Sequence, residues 1–153
     1  MDAFTINFLE MIRRAEELAE WIRIQRDAGR SKGPSDDIAQ MCLQETGLPF
    51  PIVQRSSPEA LSDLLHQGAN FYGRAAILAE LLILESEFNE ENGDASGAIR
   101  ARLQAFCLLG ESLGALAPEE QAIYREKMDL LAGQLRDASH DPYLAQKLGH
   151  FGY

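Results

Sequence analysis

The run Ala75-Ala76-Ile77-Leu78-Ala79-Glu80-Leu81-Leu82-Ile83-Leu84 contains one polar residue, Glu80. A surface helix shows polar positions every third or fourth residue, whereas a run apolar nearly all round belongs to a helix packed on several sides. A membrane span needs ~18 or more such residues in succession. The run therefore predicts the middle of a buried helix with other helices wrapped around it.

The flanking sequence supplies those helices. Over residues 3–28, Phe4, Phe8, Met11, Ile12, Ala15, Leu18, Ala19 and Ile22 recur at i, i+3, i+4 and form one face. Ile6, Leu9, Trp21 and Ile24 fall outside that stripe. They predict either a wide core face with a few exposed apolar residues, or a second contact surface such as a dimer seam. Residues 28–34 read as a loop by composition. Ser35 is placed to cap a short helix over 36–46, with Ile38, Met41 and Cys42 inward. Leu48-Pro49-Phe50-Pro51-Ile52-Val53 predicts an extended segment, since each proline disfavours helix at the residue before it. It is apolar enough to cross the bundle and plug one side.

Ser57-Pro58 starts the next helix, with Ala60, Leu61, Leu64 and Leu65 inward and Gly68 at its end. Asn70 is the candidate cap for the central helix over 71–91, which stops at Asn92-Gly93. Asp94 caps a helix over 95–115, and so short a turn makes the two antiparallel neighbours. Pro118 and Glu119-Glu120 open a helix to 136, with Tyr124, Met128, Leu131 and Leu135 on one face. Asp141-Pro142 starts a last short helix to Leu148, after which Phe151 and Tyr153 tuck against the body. No β-alternation runs through the chain. The predicted fold is all-α: one domain over 1–153, a compact bundle of five main helices and one or two short ones. Its parts are 1–33 (long helix and loop), 34–57 (short helix and proline-containing linker), 58–137 (helical-hairpin core) and 138–153 (short helix and tail).

Charge narrows the partners. The net charge is −10, and residues 1–33 contribute none of it, with six Lys/Arg against six Asp/Glu. The excess lies in 34–153, with eight against eighteen. Such a surface repels phosphates and anionic headgroups, so neither nucleic acid nor membrane is expected, and a protein partner is. The two cysteines, Cys42 and Cys107, form no C-x-x-C pair and predict reduced core thiols. No apolar stretch with the flanks of a secretory leader surrounds Arg13 and Arg14. A cytoplasmic location is the expectation.

The segment 81–115 resembles a tetratricopeptide repeat. Leu81, Leu84 and Phe88 stand where that family's first helix places large apolar residues. Gly93-Asp94 matches its turn, and Ala98 and Ala105 match the small residues of its second helix. Arg102 replaces the family's large aromatic, the turn lies one residue further from the first helix, and Pro118 comes late. The resemblance implies one TPR-like hairpin within a compact bundle, and a scaffold for protein–protein binding.

Candidate chemistry is sparse. Gly110-Glu111-Ser112-Leu113-Gly114 spells G-x-S-x-G, which needs a strand–turn–helix that this chain does not predict. Asp63 and His66 stand at i,i+3, but the repeated Glu-x-x-His signature of a di-metal bundle is missing. No catalytic residue, metal or cofactor is expected. Glu80, Glu87 and Glu91 share a face of the central helix, either as an acidic stripe for a basic peptide or as partners in local pairing. Counting back from the turn sets Glu87 opposite Arg100 and Glu85 opposite Arg102, which predicts an internal ion pair of Arg102 with Glu85, or with Glu80 one to two turns further along. The function expected is a non-catalytic interaction module, with Ile6, Leu9, Trp21 and Ile24 on one helix and Glu80, Glu87 and Glu91 on another as its candidate contact residues. The alternative is a small-ligand or enzymatic bundle with a pocket lined by Tyr72 and Glu80.

Overall fold

The computed structural model describes the backbone of residues 3–29 and 34–153, and the side chains of residues 9–29 and 36–153. The side chains of Phe4, Ile6, Phe8 and Ser35, and most of the loop expected over 28–34, lie outside what is described. The described residues contain helices and turns but no strand. In chain order they form α1 (Ala3–Asp27), α2 (Pro34–Thr46), α3 (Phe50–Arg55), α4 (Pro58–His66), α5 (Phe71–Glu91), α6 (Ala95–Ser112), α7 (Pro118–Ala138) and α8 (Pro142–His150). A 3₁₀ turn over Leu113–Ala115 continues α6.

The antiparallel pair α5 and α6 forms the centre. Helices α1 and α2 pack on α5, α4 packs on both central helices, α7 packs on α6, and α8 packs on α7. Within 75–84 only Ile83 is not buried, as its composition predicts. The central role is nevertheless shared: α5 buries 14 of its 21 residues and α6 buries 12 of its 18, the same fraction. Helix α6 hid its burial from composition because Arg102 and Gln104 are polar and still buried.

Caps set most of the boundaries. Ser57 accepts from the Ala60 amide at 3.1 Å, Asp94 from Gly97 at 2.9 Å and Asp141 from Tyr143 at 2.9 Å. Glu120 reaches back to the Ala117 amide at 2.8 Å, closing the first turn of α7. Gly93, at φ +80, makes the left-handed stop between α5 and α6.

Three local expectations need correction. The segment 48–53 is not extended throughout, because α3 begins at Phe50 with Pro51 in its first turn and Pro49 as its extended flank. First-turn amides have no intrahelical acceptor, so proline costs no hydrogen bond there. The segment does plug the bundle, with Phe50 and Val53 buried. Helix α2 begins at Pro34, so Ser35 lies in its first turn and not ahead of it. Asn70 occupies the N-cap position of α5 but in the left-handed region, at φ 55, and its side chain makes no capping bond.

Arg74, on the first turns of α5, joins several helix ends. It donates to Thr46 O at 3.0 Å, Leu65 O at 3.1 Å and Ala69 O at 3.0 Å, the first two being carbonyls at the ends of α2 and α4. The chain's last residues also pack inward. Phe151 and Tyr153 set their ring edges against Phe106, with centroids at 5.7 Å and 5.4 Å.

Candidate functional site

Helix α5 carries the glutamates singled out from sequence, and each has a cationic partner. Glu80 is buried and accepts from Lys127 Nζ of α7 at 2.7 Å. Burial acts to lower the Lys127 pKa, but Glu80 and then Glu16, which accepts from the same Nζ at 3.1 Å, outweigh it and raise it overall. Glu87 accepts from Arg23 Nη2 at 3.1 Å and Nε at 3.3 Å. Glu91 accepts from Arg26 Nη1 at 2.8 Å, and the same guanidinium lies 4.4 Å over the Phe88 ring. The stripe is therefore engaged by α1 and α7. Pairing across the α5–α6 turn, expected for Glu87 and Arg100, is replaced by Arg23.

Glu85 and Arg102 are not partners. Glu85 Oε2 accepts from Arg100 Nη2 and from Gln54 Nε2, each at 2.7 Å. Gln104 extends this network: it accepts from Arg100 Nη1 at 2.9 Å and donates to Val53 O at 2.8 Å and Ser56 O at 2.9 Å. Arg102 instead donates to Glu90. The reason is directional: side chains on a helix lean toward its N-terminus. On α6 that is toward the turn, so Arg102 reaches past the level of Glu85.

Arg23, Arg26, Lys127 and Gln104 carry this architecture and were not singled out in the sequence. One signal was available. Arg23 and Arg26 are spaced i,i+3 on α1, and Glu87 and Glu91 are spaced i,i+4 on α5, so the two pairs match as rungs between packed helices.

The two motifs that suggested chemistry lie on helices α6 and α4. Ser112 is buried and donates to Leu108 O at 2.9 Å, a bond back along its own helix. His66 stacks on Phe71 with centroids 3.7 Å apart, and Asp63 is exposed. Among the described residues no group of three or more His, Cys, Asp or Glu is placed to hold a metal. Glu80, Arg102 and Lys127 line a cavity of about 140 Å³ with Ile83, Leu130 and Leu131. Tyr72 does not line it. It lies eight residues before Glu80, roughly 12 Å along the helix, with its ring edge-on to Phe71 at 5.2 Å.

Both cysteines are free and buried. Burial pushes the Cys107 thiol from 9.0 up to about 12, and the charge of Glu111 adds to the rise. Cys42 is also raised, by burial, against the lowering effect of its hydrogen bond with Thr46. The folded state favours the neutral Cys107 thiol, so its contribution to stability is complete below pH 9.0 and is lost as pH climbs toward about 12. At pH 8 neither thiol should react with a disulfide reagent in the native protein, and both should react at once in denaturant. Prompt labelling of one thiol without denaturant would show that the site opens locally.

The outer face of α1 is the remaining candidate. Trp21 is 45% exposed, Ile24 49% and Leu9 38%, whereas Ile12, Ala15, Ala19 and Ile22 face the core. At about 100° per residue, Leu9, Arg13, Glu17, Glu20 and Ile24 share one arc, with Trp21 at its border. Position 6 falls on the azimuth of Ile24. Trp21 also borders a groove of about 290 Å³ between α1 and α2, lined by Arg14, Glu17, Leu18 and Met41. The chain matches no protein-family model, no curated protein and no solved structure.

Proposed function

We propose that this chain is a non-catalytic helical module that binds other proteins, with the outer face of α1 as its docking surface and a second copy of itself among its partners. The observation that carries this reading is the contrast between two sets of residues. The buried charged groups Glu80, Glu85 and Arg102 are held in structural pairs, and Leu9, Trp21 and Ile24 stand exposed on one helix. Large aromatic residues at such faces are the usual anchors of protein interfaces.

The TPR-like reading of 81–115 belongs to the same proposal. Its support is the antiparallel α5–α6 hairpin, with Leu81, Leu84, Phe88, Ala98 and Ala105 buried along it. A cytoplasmic setting fits the free, buried thiols. Among the described residues no helix is long and apolar enough to cross a membrane. The alternative of a small-ligand pocket beside Glu80 has less support, because that cavity, at about 140 Å³, is well below the ~300 Å³ of an ordinary small-molecule site.

The test is capture from a lysate of the native host with the wild-type chain and with Trp21→Asp. Trp21 is exposed, so the substitution leaves the core intact. The expected result is a set of proteins retained by the wild type and lost with the variant. An identical set from both would end the assignment of α1 as the docking face.

A further inference from the structure

We infer that the cavity lined by α5, α6 and α7 binds a short-chain carboxylate through Arg102. This site is independent of the α1 docking face: other helices form it, and its ligand is of another class. It starts from an arginine that is half used. The Arg102 side chain is 7% exposed. Its Nη2 donates to Glu90, while its buried Nε–H has no acceptor in the protein. Nε–H and Nη2–H lie along one edge of a guanidinium, and that edge matches the two oxygens of a carboxylate. Arg23 shows the complete arrangement, with both nitrogens on Glu87. At Arg102 the same edge holds only one oxygen, from a glutamate that is itself 65% exposed. Buried donors in folded proteins are rarely left without an acceptor.

The cavity in whose wall Arg102 stands fits such a ligand in size, charge and polarity. Its volume of about 140 Å³ is too small for an ordinary metabolite. At ~30 Å³ for each water-sized group, it takes about four or five such groups, the size of propionate. The two carboxylates in the wall are already neutralised, Glu80 by Lys127 and Glu87 by Arg23. Arg102 is the remaining cation of the wall, and its counter-ion Glu90 reaches it from the surface. Ile83, Leu130 and Leu131 supply an apolar wall for the aliphatic stem, and Leu130, 66% exposed, opens that wall to solvent. The bound carboxylate takes both nitrogens of the Arg102 edge, and Glu90 returns to water at little cost. The net charge of −10 opposes any anion. For so small a ligand the expected Kd is therefore on the order of millimolar.

The test is an NMR titration of the full chain with sodium propionate, with sodium chloride holding the ionic strength constant. Propionamide, the neutral isostere, is titrated in parallel. Propionate should give saturable shifts at the amides around Ile83, Arg102 and Leu130, and propionamide should give none over the same range. Arg102→Met, whose spectrum reports whether it is folded, should bind propionate at least about tenfold more weakly, the usual effect of losing hydrogen bonds to a charged group. Glu90→Gln provides a gain that damage to the fold cannot imitate. It removes the carboxylate that competes for Nη2, so it should bind propionate several-fold more tightly than the wild type. A wild type with no saturable shifts would overturn the inference, leaving a cavity that holds water only. So would equal responses to propionate and propionamide, unchanged affinity in Arg102→Met, or a Glu90→Gln chain that binds no more tightly than the wild type.

Discussion

Arg100→Met should lower stability by about 3–5 kcal/mol, the usual cost of leaving a buried carboxylate without its cation. Glu85 is the carboxylate concerned: its side chain is 4% exposed, and Arg100 and Gln54 are its donors. With the guanidinium gone, Gln54 alone cannot neutralise the charge, and Gln104 loses a donor as well. The double variant Arg100→Met/Glu85→Gln should recover most of the loss, since no charge is then buried. Arg102→Met should behave differently, with a change of about 1 kcal/mol or less. Its partner Glu90 is 65% exposed and returns to water, the Arg102 Nε–H meets no acceptor, and Met fills the path of the methylenes. Chemical denaturation of the three variants measures these differences. Equal losses for Arg100→Met and Arg102→Met would show that burial of the glutamate does not decide the cost.

Phe106→Ala should cost a similar amount, about 3–5 kcal/mol. The ring is fully buried in α6 and receives the edges of Phe151 and Tyr153. Truncation opens a cavity and removes two aromatic contacts together. The chain's last residues are also held by polar bonds, with Arg125 donating to Phe151 O at 3.1 Å and Arg136 to Tyr153 O at 2.9 Å. Gly110→Ala separates the two effects. A Cβ at Gly110 would lie 2.6 Å from the Phe151 ring and displace it, while Phe106 stays in place. That variant should cost about 1–3 kcal/mol. Thermal melts compare them, and a Phe106→Ala melt close to wild type would mean that the end of the chain collapses into the space.

The helices were legible where a cap or a glycine marks them. Ser57-Pro58, Gly93, Asp94 and Asp141-Pro142 place boundaries within a residue or so, because capping chemistry is local. Helix α3 was not legible, since Pro49 and Pro51 disfavour helix at their neighbours and only docking against the core repays a single short turn. The surplus of apolar residues on α1 was visible in the period of the sequence, and three of them, Leu9, Trp21 and Ile24, are exposed. The ion pairs were the least legible part. Glu80 with Lys127, and Glu87 with Arg23, are 47 and 64 residues apart, so pairing follows from how helices are arranged, which no local count contains. Even within the hairpin, counting levels misplaced Arg102, because the tilt of the side chain moves its reach by about a turn.

The Arg74 bonds to the ends of α2 and α4 bear on how the molecule opens. A helix end ordinarily frays by itself, one carbonyl at a time, at little free-energy cost. Here the last turns of two helices share one donor on a third. Loosening α2 strips Arg74 of Thr46 O, and loosening α4 strips it of Leu65 O. Either excursion weakens the hold on the other, so α2, α4 and the start of α5 are expected to open as one cooperative unit, with their amides exchanging together in a hydrogen-exchange measurement.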